Sequence, residues 1–287
     1  MSDNTTSPRL TDISHIRDLL ERHGFHFSKK LGQNFLVNPS VCPRMAEACG
    51  ANADSGVLEI GPGIGVLTRE LAARAGKVVA IELDDRLPPV LAETLAEQDN
   101  VEIVSGDCLK IDLARLIAEK FGDRPVAVCA NLPYYITSPI IMSLLESRLP
   151  VTNITVMVQK EAAQRLCAKP GTREAGAVTL AVQYYAEAET LFSVSRGSFL
   201  PAPNVDSAVI RLTVRQTPPC KARDEALMFR IIRAGFGQRR KTLLNSLGTL
   251  GYSKDTLTKA MAAAGVPPTA RAEQLTLEQF AALANAL

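Results

Sequence analysis

The chain has 287 residues, of which 46% are hydrophobic and 22% are charged, a composition sufficient to bury one large core and a smaller one. No run of about 18 apolar residues occurs, and the polar first residues lack the basic start and apolar stretch of a signal peptide, so neither a membrane span nor a secretory leader is expected. The six cysteines are scattered without a C-x-x-C pair, which favours reduced thiols in the cytoplasm over a disulfide or zinc framework and predicts no metal site.

The formal charge of the whole chain is only +2, but its distribution is uneven. Residues 215–287 contain 11 Lys and Arg against 5 Asp and Glu, whereas the residues before them contain 21 against 25. A mildly acidic region before residue 215 and a basic C-terminal tail after it predict two structural units, and the basic tail is expected to contact a polyanion. An ordinary solvated helical surface is the alternative explanation of the same charges.

Two helices and an irregular segment are expected before the first strand of a sheet. Apolar residues recur at helical spacing at Ile13, Ile16, Leu19 and Leu20. Gly24 is well placed to end that helix. The basic and aromatic segment over residues 25–35 is too irregular for a strand, and a second helix is expected over about residues 39–49.

After these helices, the sequence pattern predicts a strand, a glycine turn, a helix and a further strand. Strands are predicted at residues 57–60, 78–82, 101–104, 126–130, 154–159, 187–194 and 207–214, with a helix over residues 66–75. Further helical stretches separate the early strands, and a proline-rich loop over residues 200–204 separates the last two. Such alternation indicates an α/β fold with a mostly parallel sheet covered on both faces.

Only helical patterns remain after the break at Thr217-Pro218-Pro219, over about residues 225–236, 242–250, 255–264 and 276–287. Thr276 with Gln279 forms a capping-box pattern for the last of these helices. The predicted boundary therefore lies near Thr217, between a domain of residues 1–216 and a small helical domain of residues 217–287.

Three features at successive strand ends predict a nucleoside-binding site. Gly61, Gly63 and Gly65 follow one strand and open a helix, where glycines let the backbone come close to a ligand and the helix start offers free N–H groups. Glu82 ends the next strand, 21 residues after Gly61, where a carboxylate can bind both ribose hydroxyls. Asp107 follows the third strand, and its carboxylate could accept a hydrogen bond from an adenine amino group.

NAD and S-adenosylmethionine are both compatible with these strand-end groups. The turn has the spacing G-x-G-x-G. It does not match the dinucleotide fingerprint G-x-G-x-x-G, since Val66 stands where that fingerprint requires glycine. S-adenosylmethionine has one nucleoside and no pyrophosphate, so it is the better fit as cofactor.

The segment Asn131-Leu132-Pro133-Tyr134 follows a short apolar strand and predicts a catalytic clamp for an amino nitrogen of adenine. The amide oxygen of Asn131 and the backbone carbonyl beside Pro133 can accept the two hydrogens of an exocyclic amine, while the Tyr134 ring lies against the base. Accepting both hydrogens would favour a pyramidal nitrogen whose lone pair faces the methyl donor.

Taken in order, these motifs resemble those of the ribosomal RNA adenine dimethyltransferases, most closely the bacterial KsgA type, over nearly the whole chain. The matching motifs are residues 31–36 (LGQNFL), 58–68 (LEIGPGIGVLT), 82–84 (ELD), 106–107 (GD), 131–139 (NLPYYITSP), 159–161 (QKE), 199–207 (FLPAPNVDS) and 236–246 (FGQRRKTLLNS). Tyr135 departs from the pattern, since other members carry Asn after the clamp tyrosine.

The resemblance implies a Rossmann-like methyltransferase domain followed by a small helical C-terminal domain. It implies a site for S-adenosylmethionine bordered by Asn34, Leu36, Gly61, Glu82, Asp107 and Asn131. The substrate would be two adjacent adenosines in a hairpin loop near the 3′ end of small-subunit rRNA, dimethylated at N6 on a partly assembled small ribosomal subunit. We expect a monomer that serves ribosome biogenesis in the cytoplasm.

Cations at two places are expected to contact RNA phosphates, Lys29 and Lys30 near the cofactor mouth and Arg239, Arg240 and Lys241 in the basic tail. Such contacts give affinity without reading the base sequence. The alternative for the second group is that it merely caps a helix surface.

Two rival functions stay open. A large-subunit rRNA adenine methyltransferase of the antibiotic-resistance type would share the clamp, but the helical tail and the motif at residues 236–246 favour the small-subunit substrate. A non-catalytic RNA-binding assembly factor would keep the fold without the activity, although Glu82, Asp107 and the clamp at residues 131–134 are intact.

Overall fold

The computed structural model describes residues 10–28 and 32–287. The strands are β1 (Phe35–Leu36), β2 (Gly56–Ile60), β3 (Lys77–Glu82), β4 (Val101–Ser105), β5 (Val126–Asn131), β6 (Val151–Gln159), β7 (Ala186–Val194), β8 (Phe199–Leu200) and β9 (Ser207–Val214). The α-helices are α1 (Ile13–Arg22), α2 (Val41–Ala48), α3 (Val66–Ala72), α4 (Pro88–Thr94), α5 (Leu113–Phe121), α6 (Thr137–Glu146), α7 (Lys160–Leu166), α8 (Ala177–Tyr185), α9 (Glu225–Gly237), α10 (Leu243–Leu247), α11 (Lys254–Ala263) and α12 (Leu277–Asn285). None of these helices is both long and apolar enough to span a bilayer.

Seven strands form the central sheet in the order β4-β3-β2-β5-β6-β9-β7. β2 runs parallel to β3 and β5, β3 to β4, and β5 to β6, whereas β9 is antiparallel to β6. The predicted α/β fold and its mostly parallel sheet are therefore confirmed. The strand order reverses between β2 and β5, and ligands of such sheets bind outside the carboxyl ends of the strands at the reversal.

A second sheet of two short strands was not predicted from the sequence. β1 pairs with β8 in the antiparallel sense, Phe35 opposite Leu200 and Leu36 opposite Phe199. Two-residue strands have too few positions to show an alternating pattern, so the pattern in the sequence could not reveal them. The pairing fixes the residues around Phe35 beside the chain that enters the proline-rich loop.

Contacts divide the chain into two compact units, Met1–Ala163 with Glu189–Thr213, and Gln164–Ala188 with Val214–Leu287. The core of the first unit includes two hydrophobic clusters. One includes Met45, Leu71 and Met157, and the other includes Ile16 and Leu91. The second unit takes in α8, which precedes the predicted boundary, and residue 217 as the border of a separately acting domain stays a prediction.

The second unit is built on α9, which packs against α8, α10 and α12. The capping box predicted for the last helix is confirmed, because Thr276 Oγ1 accepts from Gln279 N at 3.3 Å and Gln279 Oε1 accepts from Thr276 N at 3.0 Å. The helix expected over residues 242–250 is divided into α10 and a 3-10 turn at Gly248–Leu250.

Candidate active site

One pocket lies at the carboxyl ends of the parallel strands, where the strand order reverses. Of the cofactor and clamp residues predicted from the sequence, Gly65 of the glycine turn is not part of its lining, whereas the others line it, namely Asn34, Leu36, Gly61, Gly63, Glu82, Asp107, Asn131, Leu132, Pro133 and Tyr134. The carboxyl end of β2 leads into the glycines, and the carboxyl ends of β3, β4 and β5 lead to Glu82, Asp107 and Asn131. The parallel sheet therefore brings together residues that are far apart in the sequence.

The glycine turn after β2 presents its backbone to this pocket. Gly61 has a φ of +70°, and a Cβ there would meet nothing within 4 Å, so the space beside it is open to a ligand. Gly63 has a φ of +61°, and a Cβ there would lie 3.2 Å from the Phe35 ring. Both glycines adopt the left-handed conformation that side chains disfavour, and Gly63 also permits close packing.

The Glu82 carboxylate is held by two backbone amides. Its Oε1 accepts from Asp84 N at 2.8 Å and its Oε2 accepts from Gly63 N at 3.3 Å. Burial raises the pKa of Glu82, while these hydrogen bonds act in the opposite direction. Each carboxylate oxygen keeps a further lone pair, so the group can still accept from a donor in the pocket.

Glu59 is a pocket residue that the sequence analysis did not assign. It lies within β2 with an exposed fraction of 1%, and its Oε2 makes no hydrogen bond with any described residue. Burial raises the pKa of Glu59 to about 8, with a smaller lowering by the Thr68 hydroxyl and a smaller raising by Glu82. A carboxylic acid within an otherwise apolar strand was the signal that could have found it, because such a group is rarely buried unless paired.

The Asn131 amide has a defined orientation in the clamp. Its Nδ2 donates to the backbone carbonyl of Asn34 at 3.4 Å. A carbonyl oxygen can only accept, so the amide nitrogen must face Asn34, and Oδ1 is the atom that the predicted clamp would use as an acceptor. Asn34 is itself fixed, since its Nδ2 donates to the Gly32 carbonyl at 3.0 Å.

The candidate for the second acceptor of the predicted clamp is the Leu132 carbonyl. The Pro133 carbonyl is already engaged, because it accepts from Ile136 N and from Thr137 Oγ1, each at 3.2 Å. The Leu132 amide donates to Met157 O at 3.1 Å, while its carbonyl accepts no hydrogen bond from the residues described. Two acceptors on adjacent residues are thus available for the two hydrogens of one amine.

Tyr134 forms a half-buried wall of the pocket and is anchored through its hydroxyl. The Tyr134 hydroxyl and Ser207 Oγ are hydrogen-bonded at 2.6 Å, and Ser207 at the start of β9 is fully buried. Burial raises the pKa of Tyr134, and the bond to Ser207 partly offsets that effect. The bond joins the clamp motif to the motif at residues 199–207 and restricts the ring to one orientation.

Gln33 fixes the segment that carries Asn34, a role the sequence did not reveal. Its Nε2 donates to Asp84 Oδ2 at 2.7 Å and its Oε1 accepts from Ser28 N at 2.9 Å. Asp84 also forms an ion pair with Arg86 at 2.6 Å, and that guanidinium lowers the pKa of Asp84 to about 2. An ionised Asp84 is a strong acceptor for the Gln33 amide.

Of the residues predicted to contact RNA, Lys29 and Lys30 lie outside the described residues. The other three, at residues 239–241, are exposed and follow the end of α9, in the turn between α9 and α10. Arg239 is partly engaged, since its Nη2 donates to Arg173 O at 2.6 Å and its Nε lies 3.7 Å from Glu273 Oε2. Among residues 10–28 and 32–287, no group of three or more His, Cys, Asp or Glu side chains could hold a metal ion.

Comparison with known proteins finds relatives that match nearly the whole chain and are named as rRNA-methylating enzymes. A model of the family described as ribosomal RNA adenine dimethylase matches residues 24–287. Ribosomal RNA small subunit methyltransferase A of Geobacillus thermodenitrificans is 52% identical over 276 residues, which cover 94% of both chains.

Two solved structures share the fold over most of their length. The 23S rRNA methyltransferase ErmE has a TM-score of 0.68 at 31% identity, covering 88% of this chain and 99% of that one. A dimethyladenosine transferase from Plasmodium falciparum has a TM-score of 0.72 at 26% identity, covering 87% and 95%. Because one family model spans nearly the whole chain and a full-length relative shares half of its residues, this chain belongs to the ribosomal RNA adenine dimethylase family, a family of rRNA-methylating enzymes.

Proposed function

We propose that this enzyme transfers methyl groups from S-adenosylmethionine to N6 of two adjacent adenosines in the 3′-terminal hairpin loop of small-subunit (16S) rRNA, giving N6,N6-dimethyladenosine. It acts as a monomer on the assembling small ribosomal subunit in the cytoplasm and thereby serves subunit biogenesis. The main observation behind this proposal is the clamp, in which an oriented Asn131 amide and the Leu132 carbonyl offer two acceptors beside the cofactor pocket.

The lining of the pocket favours S-adenosylmethionine over NAD. It contains the carboxylates of Glu82 and Asp107, besides the buried and protonated Glu59, and no Lys, Arg or His among its described residues. Acidic groups attract the positive charges of a sulfonium and an ammonium, whereas the pyrophosphate of NAD would be repelled. When bound, S-adenosylmethionine supplies an electrophilic methyl group and leaves as a neutral sulfide.

Individual residues are assigned to the cofactor by their position and chemistry. Glu82 would accept from the ribose hydroxyls, and Asp107 from the adenine amino group. The backbone at Gly61 and Gly63 gives close access, since no side chain fills the space beside Gly61. Asn34 and Leu36 border the site, because both line the pocket.

The clamp residues prepare the amine of the target adenine for attack. Its lone pair is delocalised into the ring, so the free amine is a poor nucleophile. Asn131 Oδ1 and the Leu132 carbonyl accept its two hydrogens, which favours a pyramidal nitrogen and stabilises the positive charge that develops there. Neither group needs to act as a strong base.

Tyr134 holds the target base after it has left its stack. Enzymes that modify a base must extrude it into a pocket, at a cost of a few kcal/mol in a paired or stacked strand. Stacking on an aromatic ring returns roughly 1–3 kcal/mol per base. The bond to Ser207 keeps the Tyr134 ring in place for this contact. A monomethylated amine has one remaining hydrogen, so the clamp then works with one of its two acceptors.

Basic residues supply the contacts with the RNA backbone. We assign this role to Lys29, Lys30, Arg239, Arg240 and Lys241. The exposed position of the last three supports it, because cations on the surface can reach phosphates without reading bases.

The large-subunit alternative keeps one observation in its favour, the structural likeness to a 23S rRNA methyltransferase. Transfer of labelled methyl from S-adenosylmethionine to unmodified small subunits and, separately, to unmodified large-subunit rRNA distinguishes the two. Mass spectrometry of the digested RNA should find N6,N6-dimethyladenosine in the small subunit alone. Label confined to the large-subunit RNA would refute the proposal, and binding of the cofactor without any label would indicate an assembly factor.

A further inference from the structure

Tyr135 has a position that the proposed chemistry does not use. It is the most exposed of the large apolar side chains in the part of the chain that the structure describes, with an exposed fraction of 57%. It also lines the active-site pocket and directly follows the clamp residue Tyr134. A large aromatic side chain that stays in water at the mouth of a site is a candidate for contact with a substrate.

The two neighbouring tyrosines differ in their surroundings. Tyr134 is anchored inside the pocket by Ser207, at 2.6 Å. The Tyr135 ring lies instead against the backbone of Gly32, where a Cβ would be 3.3 Å from its Cδ1 and 3.4 Å from its Cε1. The ring is thus supported on one edge by backbone while more than half of the residue is exposed. Such a supported ring loses little conformational freedom when a ligand binds to it.

An RNA substrate creates a need for such a ring beside the pocket. When one base is extruded into the site, the adjacent base loses a stacking partner. The adjacent nucleotide is joined to the extruded one by a single phosphodiester, so it must remain at the mouth of the pocket. An exposed aromatic ring there offers its face to that base, and stacking of this kind tolerates any base identity.

We propose that Tyr135 is a stacking platform for the adenosine adjacent to the one held in the clamp. It keeps this second adenosine outside the pocket while the first is methylated, and so positions the pair for both reactions. This inference rests on the proposed function, because it requires two adjacent target adenosines.

The test measures methylation of unmodified small subunits by the wild-type enzyme and by the variants Tyr135→Ala and Tyr135→Phe. Tyr135→Ala should lower kcat/KM by about 5- to 150-fold, the range expected from the loss of one base-stacking contact. Tyr135→Phe, which keeps the ring, should stay within about twofold of the wild type. Binding of S-adenosylmethionine, measured by calorimetry, should be unchanged in both. Leu109→Ala is a matched control, since it truncates another exposed apolar side chain that is not part of the pocket lining, and it should leave kcat/KM unaltered.

Subunits reconstituted with rRNA in which either of the two adenosines is replaced by uridine give the sharper readout. Wild-type turnover on the remaining adenosine should fall, because uridine stacks more weakly, whereas Tyr135→Ala should be insensitive to the same replacement. Equal sensitivity of both proteins, or equal loss in Tyr135→Phe and Tyr135→Ala, would overturn the platform while leaving the proposed function standing. Wild-type enzyme without activity on any small subunit would overturn both.

Discussion

Replacing Glu59 by Gln should flatten the dependence of folding stability on pH. Glu59 is almost completely buried in β2, and its pKa is raised by burial from 4.5 to about 8. The unfolded chain therefore ionises this group at a pH where the folded protein keeps it protonated. Stability from this group is fully present below pH 4.5 and is lost as the pH rises through about 8.

The size of the effect follows from the separation of the two pKa values. One unit corresponds to about 1.4 kcal/mol, so a shift from 4.5 to about 8 amounts to roughly 5 kcal/mol over the whole range. Between acidic and alkaline pH, the free energy of unfolding of the wild type should therefore fall by this amount relative to that of Glu59→Gln. That is a large part of the total stability of an ordinary domain.

Urea unfolding at a series of pH values from about 5 to 9 measures the difference directly, provided that the m-values agree. Gln has the shape of Glu and cannot titrate, so the difference between the two profiles isolates the contribution of Glu59. Glu146→Gln is a matched control, because it removes an exposed carboxylate and should keep the shape of the wild-type profile. Parallel profiles for wild type and Glu59→Gln would refute the reasoning, since they would show that Glu59 ionises alike in the folded and unfolded chain.

Three further predictions concern the clamp, its anchor and the RNA contacts. Asn131→Ala should lower kcat by about 10²- to 10³-fold, as for loss of one oriented polar group at a reacting atom, and should weaken S-adenosylmethionine binding only modestly in calorimetry; unchanged turnover would contradict the assignment. Ser207→Ala should reduce the free energy of unfolding by about 1 kcal/mol, and a double-mutant cycle with Tyr134→Phe should show coupling, because each variant removes the same hydrogen bond. Replacing all three basic residues at 239–241 by Gln should reduce the slope of log K against log salt for RNA binding by roughly 2–3. Arg239→Gln alone should reduce that slope by about one third as much. An unaltered slope would exclude contact of these residues with phosphates.

The sequence predicted most of the sheet and the position of the pocket, because both depend on local patterns. Apolar runs of four to eight residues bounded by turns marked the strands, and in a parallel sheet their carboxyl ends must share one edge. Glu82, Asp107 and Asn131 each follow or end such a run, so their convergence on one pocket could be predicted before any contact was known.

The parts that could not be predicted depend on contacts between distant segments. The pairing of β1 with β8 joins two-residue strands, and the bond from Gln33 to Asp84 joins residues that no spacing rule relates. Glu59 was missed for a different reason, since the sequence showed a carboxylic acid within an apolar strand but not whether that side chain is buried. The choice between the Leu132 and Pro133 carbonyls likewise required the hydrogen bonds of the turn that follows.

The orientation of one amide links these separate observations. In the proposed mechanism Asn131 accepts from a substrate amine only while its nitrogen faces the Asn34 carbonyl, and the position of that carbonyl depends on its neighbours in the chain. Gln33, on one side of Asn34, is bonded to a carboxylate that Arg86 keeps ionised, and Phe35, on the other side, is paired with β8. The segment at residues 32–36 therefore has a structural reason to accompany the predicted clamp. It fixes the acceptor geometry of a group that would otherwise present nitrogen or oxygen to the target base with little difference in energy.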